Sequence, residues 1–294
     1  MSRLFPATVS VAAAALALGV GVGAGPLAQS SAEEAARREA RLDARVERLV
    51  DRVAQRERNA EADRQAIDAL ASPAVADRLA GRTVVVVATP DARRADVRRA
   101  ERAVTSAGAT VTGVLTLRPT YVDPGSAEFP LEDLALRLVP PGVSFAEGAR
   151  SIERVGTVLA RSVVHPPDDK PGAEPDPDAA EVLAGLQELA ALTLEGEPGV
   201  RAGLAVVVSA GPAEDPAVAG LLSALDAGSA GTVLTAPTRS AGAGEGFSTV
   251  GGLRSAAGTT ALVLALAEQA GGGSGSYGTG PATSSVLPPV RSAG

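Results

Sequence analysis

The chain has 294 residues, a net charge of -7, no cysteine, one histidine and an aromatic content of 2%. The missing cysteines exclude disulfides, thiolate metal sites, zinc knuckles and cysteine nucleophiles. The acidic charge is spread along the chain without a basic stripe, and with so few aromatics nucleic acid is excluded as a partner.

The first element is an uncharged segment. Between Arg3 and Glu33 no residue carries a charge, and residues 9–28 supply the roughly 20 apolar positions that a hydrocarbon core requires. Arg3 on the short N-terminal side predicts a cytoplasmic N-terminus, with everything from Glu33 onward outside the cytoplasmic membrane. A cleaved secretory signal with a permissive Val22-Gly23-Ala24 site is the rival reading. Both readings export the chain, and residues 1–32 are assigned to this anchor or signal.

Residues 33–72 read as one helix. Val46, Val53 and Ile67 occupy heptad position a, and Leu42, Leu49 and Leu70 occupy d. β-Branched residues at a with leucine at d favour a parallel two-stranded coiled coil, so the segment is expected to act as an oligomerisation stalk. Arg56 and Asp63 interrupt the seam at d. A single amphipathic helix packed on its own domain is the other reading of such a stripe.

Residues 73–270 predict an exported α/β domain. Residues 83–88, Thr-Val-Val-Val-Val-Ala, form a continuous apolar run of the kind found in buried parallel strands. Thr89-Pro90-Asp91 follows, with Asp91 expected to cap a helix ending at Gly108. A strand at 110–117 comes next, then helices at 130–138 and 145–163 and an exposed Pro- and Asp-rich loop at 165–178. A second cycle gives a helix at 178–192, a strand at 204–209, a helix at 215–227 and a strand at 232–234. A short strand at 247–250 and a helix at 259–270 close the domain before a Gly/Ser-rich tail, 271–294. This alternation predicts α/β architecture with a mostly parallel, Rossmann-like sheet, and the two similar strand–helix–strand units suggest an internal pseudo-repeat.

Thr89 and Asp91 stand where α/β sheets bind ligands, at the carboxyl end of a strand, and are the candidate ligand-binding pair; turning the chain is the plainer role. Tyr277, a tyrosine in an otherwise apolar-poor tail, is the third candidate, either docked beside them or free in the tail. His165, beside Asp168 and Asp169, is the weak metal candidate. No dinucleotide fingerprint, phosphate-binding loop or nucleophile elbow occurs, and any Ser/His pair would have to use His165, so no enzyme is expected.

Two stretches carry a family resemblance. Residues 81–92, Gly-Arg-Thr-Val-Val-Val-Val-Ala-Thr-Pro-Asp-Ala, with the turn at 107–112, resemble the mycobacterial copper transport protein B (MctB) family of actinobacterial envelope proteins. The apolar helix at 262–266, followed by Gly271-Gly272 and Tyr277-Gly278-Thr279-Gly280, resembles it too, and so does the order of elements along nearly the whole chain. The resemblance implies copper efflux or copper homeostasis in the cell envelope, with pore formation in the outer membrane. Copper prefers thiolates, thioethers and imidazoles, and this chain offers one histidine and the initiator methionine. No tight copper site or resident cofactor is therefore expected, and copper enters as a transported ion. The expected partners are membrane lipid, further copies of the chain through the stalk, and envelope proteins. A membrane-anchored scaffold without copper chemistry is the alternative.

Overall fold

The computed structural model describes residues 26–123, 125, 128–141, 143–169, 175–197, 199–211, 215–236, 246–278 and 283–289. The segment expected to anchor the chain lies outside these residues except for positions 26–28. Among the described residues, no helix is long and apolar enough to cross a membrane.

The chain divides into two compact units, Met1–Glu61 and Ala62–Gly294. Helix α1 runs from Pro26 to Val75, three residues past the stop expected at Ser72. Within the first unit, Leu42, Val46, Leu49 and Val53 are 48–61% exposed, so the a/d stripe stands bare. The side chains of Ile67 and Leu70 lie outside the described set.

The second unit is built on seven strands: β1 (Thr83–Ala88), β2 (Thr110–Leu117), β3 (Leu192–Gly196), β4 (Leu204–Val208), β5 (Thr232–Ala236), β6 (Ser248–Gly251) and β7 (Ser276–Tyr277). Their order in the sheet is β3-β2-β1-β4-β5-β6-β7. Only the β2–β3 pair is antiparallel; the other five pairings are parallel. Its helices are α2 (Arg94–Ser106), α3 (Pro119–Val122), α4 (Glu128–Arg137), α5 (Ser151–Val163), α6 (Pro177–Glu188), α7 (Pro216–Gly228) and α8 (Ala256–Gln269).

The valine run of β1 shows why the sheet is central. Alternate side chains point to opposite faces. Val84, Val86 and Ala88 join one cluster with Val97 and Val104 of α2 and Leu262 and Leu266 of α8. Val85 and Val87 join a second, with Leu159 of α5, Leu183 of α6 and Leu221 of α7. Both faces are therefore covered, which explains a continuous apolar run instead of an alternating one. Burying each such side chain contributes about 1.5–3 kcal/mol.

Capping chemistry fixes several helix starts. Asp215 accepts hydrogen bonds from the backbone N–H groups of Ala217 (2.9 Å) and Val218 (3.4 Å), with Pro216 in the first turn. Asp176 does the same for α6, and Ser255 accepts from Gly258 N at 3.1 Å to start α8. Asp91, by contrast, caps nothing: α2 begins at Arg94 and Arg93 holds the N-cap position without a side-chain cap. Other boundaries also move. Helix α5 starts at Ser151, six residues after the expected 145, because Glu153 accepts the backbone N–H of Arg150 at 2.9 Å and closes the first turn there. Helix α6 stops at Glu188, where Ala190 turns to φ 53°, and the chain re-enters the sheet as β3. Helix α8 starts three residues earlier than expected, at its serine cap. In the stretch read as a tail, Ser276 and Tyr277 add β7 alongside β6.

Candidate functional site at the carboxyl edge of the sheet

From β1 the chain goes to β2 on one side, and β4 lies on the other. The connection after β1 leads to α2 on one face of the sheet, and the connection after β4 leads to α7 on the opposite face. Open α/β sheets bind ligands at such a reversal, outside the carboxyl ends of the strands. A cavity of about 280 Å³ lies there, lined by Thr89, Asp91, Asp123, Ser209, Gly211 and Asp215 among others.

Thr89 is buried, and its backbone N–H donates to Val208 O at 3.0 Å, tying the end of β1 to β4. Its hydroxyl lies within hydrogen-bond reach of both the Asp91 carboxylate and Val208 O (3.2 Å) and can donate to one of them at a time. Asp91 is held in turn against Gly211: a Cβ there would fall 2.6 Å from Asp91 Oδ2, so a larger residue would make the carboxylate shift. Ser209 Oγ accepts from Gly211 N at 3.1 Å, which folds the β4 loop back over the crevice. Asp215 spends one oxygen on the α7 cap. The result is an acidic, hydroxyl-bearing crevice with an apolar wall from Pro119, Val122 and Val218.

Sequence reasoning found Thr89 and Asp91 here and missed Asp123, Ser209, Gly211 and Asp215. The signal lay in the pseudo-repeat noted above: Val-Val-Val-Ser-Ala-Gly (206–211), at the end of β4, echoes Val-Val-Val-Ala-Thr-Pro (85–90), at the end of β1.

Tyr277 is not part of this site. It lies on β7, four strands from β1, or about 19 Å at the usual strand spacing. Its ring is 4% exposed and packs with Val250 and Leu262, and its hydroxyl donates to the Glu268 carboxylate.

His165 is also elsewhere, at the amino edge of the sheet, and it is buried rather than in an exposed loop. Its backbone N–H donates to Ala202 O at 3.0 Å, and Nδ1 lies 2.9 Å from Pro166 O. Donation from Nδ1 leaves Nε2 as a bare acceptor, and Nε2 is buried with no hydrogen-bond partner. Of the two acids expected beside it, Asp169 is engaged by Arg201 at 3.7 Å, a guanidinium it shares with Asp176 at 3.5 Å. Among the described residues, no three His, Asp or Glu side chains gather to hold a metal ion.

Two other carboxylates are perturbed. The backbone N–H and guanidinium of Arg150 hold Glu153 below the usual carboxylate range, and burial pushes Asp226 above it.

These features define a class: a doubly wound, mostly parallel α/β domain with an acidic switch-point crevice, in a chain that also carries a long N-terminal helix. Its family is shown by sequence. Residues 7–288 match the family described as "Copper transport outer membrane protein, MctB", and the chain belongs to that family. Proteins named "Copper transporter MctB" from Mycobacterium bovis and from two strains of Mycobacterium tuberculosis are each 29% identical to it, over 78% of this chain and 80% of theirs.

Proposed function

We propose that this chain serves copper homeostasis in the cell envelope as a membrane-anchored assembly protein, not as an enzyme and not as a tight copper carrier. The family match over residues 7–288 carries the copper assignment. The ligand inventory sets its limits: without cysteine, and with a single histidine, the chain lacks the soft donors that copper selects. The single histidine also lies at the opposite edge from the crevice, which speaks against a Ser–His nucleophile there.

Anchoring follows from the uncharged segment behind Arg3, with residues 33–294 outside the cytoplasm. Spanning β-strands need about 9–11 residues facing lipid; among the described residues the longest strand has 8 and the sheet is sandwiched between helices, which supports an extramembranous reading of the α/β unit. The bare a/d stripe on α1 favours pairing of two chains, and a pair would set a fixed geometry for envelope partners.

Cellular copper content and copper tolerance, measured with and without the gene, test the role. Loss of the gene should raise copper content and lower tolerance. Unchanged copper handling would leave the scaffold reading alone. Protease added to spheroplasts should remove the bulk of the protein, and protection of the α/β unit would overturn the orientation.

A further inference from the structure

Helices α2 and α8 lie side by side on one face of the sheet, and the seam between them opens into a cavity of about 460 Å³. Its apolar lining includes Ala103 and Val263, and Thr260 adds a hydroxyl. Arg99, Arg102 and Arg254 rim it. A single carboxylate, Asp96, serves two of them, at 3.0 Å from Arg99 and 3.5 Å from Arg254. Arg102 meets no carboxylate among the described residues; its Nε donates to the Arg98 carbonyl at 3.2 Å. Three guanidiniums against one carboxylate leave an excess of two positive charges around one groove, in a chain whose net charge is -7.

That excess is positioned by the fold. Arg99 and Arg102 are three apart on α2 and share a helix face. Arg254 reaches them from the loop before α8, far away in sequence. Like charges brought together repel, and a rim of this kind is relieved by a bound anion. A guanidinium presents a planar fork that matches two oxygens of a phosphate, and it is always charged. The apolar lining and the volume fit a small organic body, since ligand pockets run to about 300–1,000 Å³.

We propose that this groove is a binding site for an organic phosphate: a dianionic head between Arg102 and Arg254, with a short apolar body on Ala103 and Val263. The same chemistry is offered by a soluble phosphate monoester and by the head of a short lysophosphatidate.

The test uses the full chain in a nonionic detergent. Phenyl phosphate should raise its Tm, phenol at the same concentration should not, and added salt should weaken the effect by screening. Arg102→Gln should weaken phenyl phosphate binding about fivefold, as expected for a partly exposed ion pair, and Arg102→Lys should restore part of it. The unliganded Tm of each variant reports folding independently, and Arg254→Gln serves as a second variant should Arg102→Gln fold poorly. Hexanoyl lysophosphatidate binding more tightly than phenyl phosphate would assign the groove to lipid, and the reverse order to soluble esters. Absence of a Tm shift with both ligands, or a shift that persists undiminished in Arg102→Gln and Arg254→Gln, overturns the site.

Discussion

Thr89, Asp91 and Gly211 form a three-way lock in which each residue explains the next. The buried hydroxyl of Thr89 can donate to Asp91 or to Val208 O, and Gly211 leaves room for the carboxylate. Gly211→Ala should push Asp91 away and cost about 1 kcal/mol, the net worth of one hydrogen bond. In an Asp91→Ala background the same substitution should cost almost nothing, because the clash is gone; equilibrium urea unfolding of the four proteins measures this coupling. Asp226 gives a second residue-scale expectation. Its carboxyl is raised by burial, so the folded protein binds that proton more tightly than the unfolded chain does. The sign follows: the ionised form opposes folding above the folded-state pKa, and the penalty fades as pH falls. Asp226→Asn should therefore raise stability at pH 7 and leave it unchanged near pH 3. Glu153 runs the other way, since the Arg150 contacts lower its pKa. Its contribution is present above the ordinary carboxylate value of 4.5 and is lost as pH drops through the lowered folded value, so Glu153→Gln should flatten the acid limb of the pH–stability curve.

Elements that carry their own hydrophobic burial were legible in sequence, and elements that depend on a neighbour were not. The runs in β1 and β4 are buried on both faces, so composition alone marks them as strands. Asp215-Pro216 announces α7 for the same local reason. Strand β3 reads as a continuation of α6 because Leu186, Leu189 and Leu192 keep helical spacing. What breaks the helix is Ala190 at φ 53°, a conformation no sequence rule expects of alanine. Strand β7 has two residues and exists by pairing with β6 on one side and bridging to Ser285 from Tyr277. At the site, Thr89 and Asp91 were visible from their place after a strand, whereas Asp123 and Ser209 converge on them only through the sheet order. The arginine rim escaped notice likewise, because Arg254 joins α2 only in three dimensions. Tyr277→Ala should remove the ring that seals the β7 end and destabilise the α/β unit by about 3 kcal/mol in urea unfolding. On α1, Leu49 sits at 48% exposure in the a/d stripe. The full chain should be dimeric by light scattering in detergent, and Leu49→Asp should make it monomeric; a monomer before and after the substitution would remove the stalk pairing.

For the whole molecule, the copper assignment and the ligand inventory together predict a phenotype without a tight site. Titration against a competing chelator should find no sub-micromolar Cu(I) bound to the full chain, and His165→Ala should change nothing. One ion held per chain at that affinity would show that the ligand inventory misleads, and its loss in His165→Ala would assign it to that histidine. The sheet order carries one more consequence, and it concerns time. Strand β1 is made early, yet one of its two neighbours, β4, follows about 120 residues later, as the bond from Gly203 N to Thr83 Oγ1 illustrates. Until β4 emerges, one edge of this valine-rich strand has no partner. Refolding from denaturant should thus be slow and limited by this long-range closure, with losses to aggregation that grow with protein concentration. Inside the cell the same interval is a window in which a nascent chain needs shelter before β1 is enclosed.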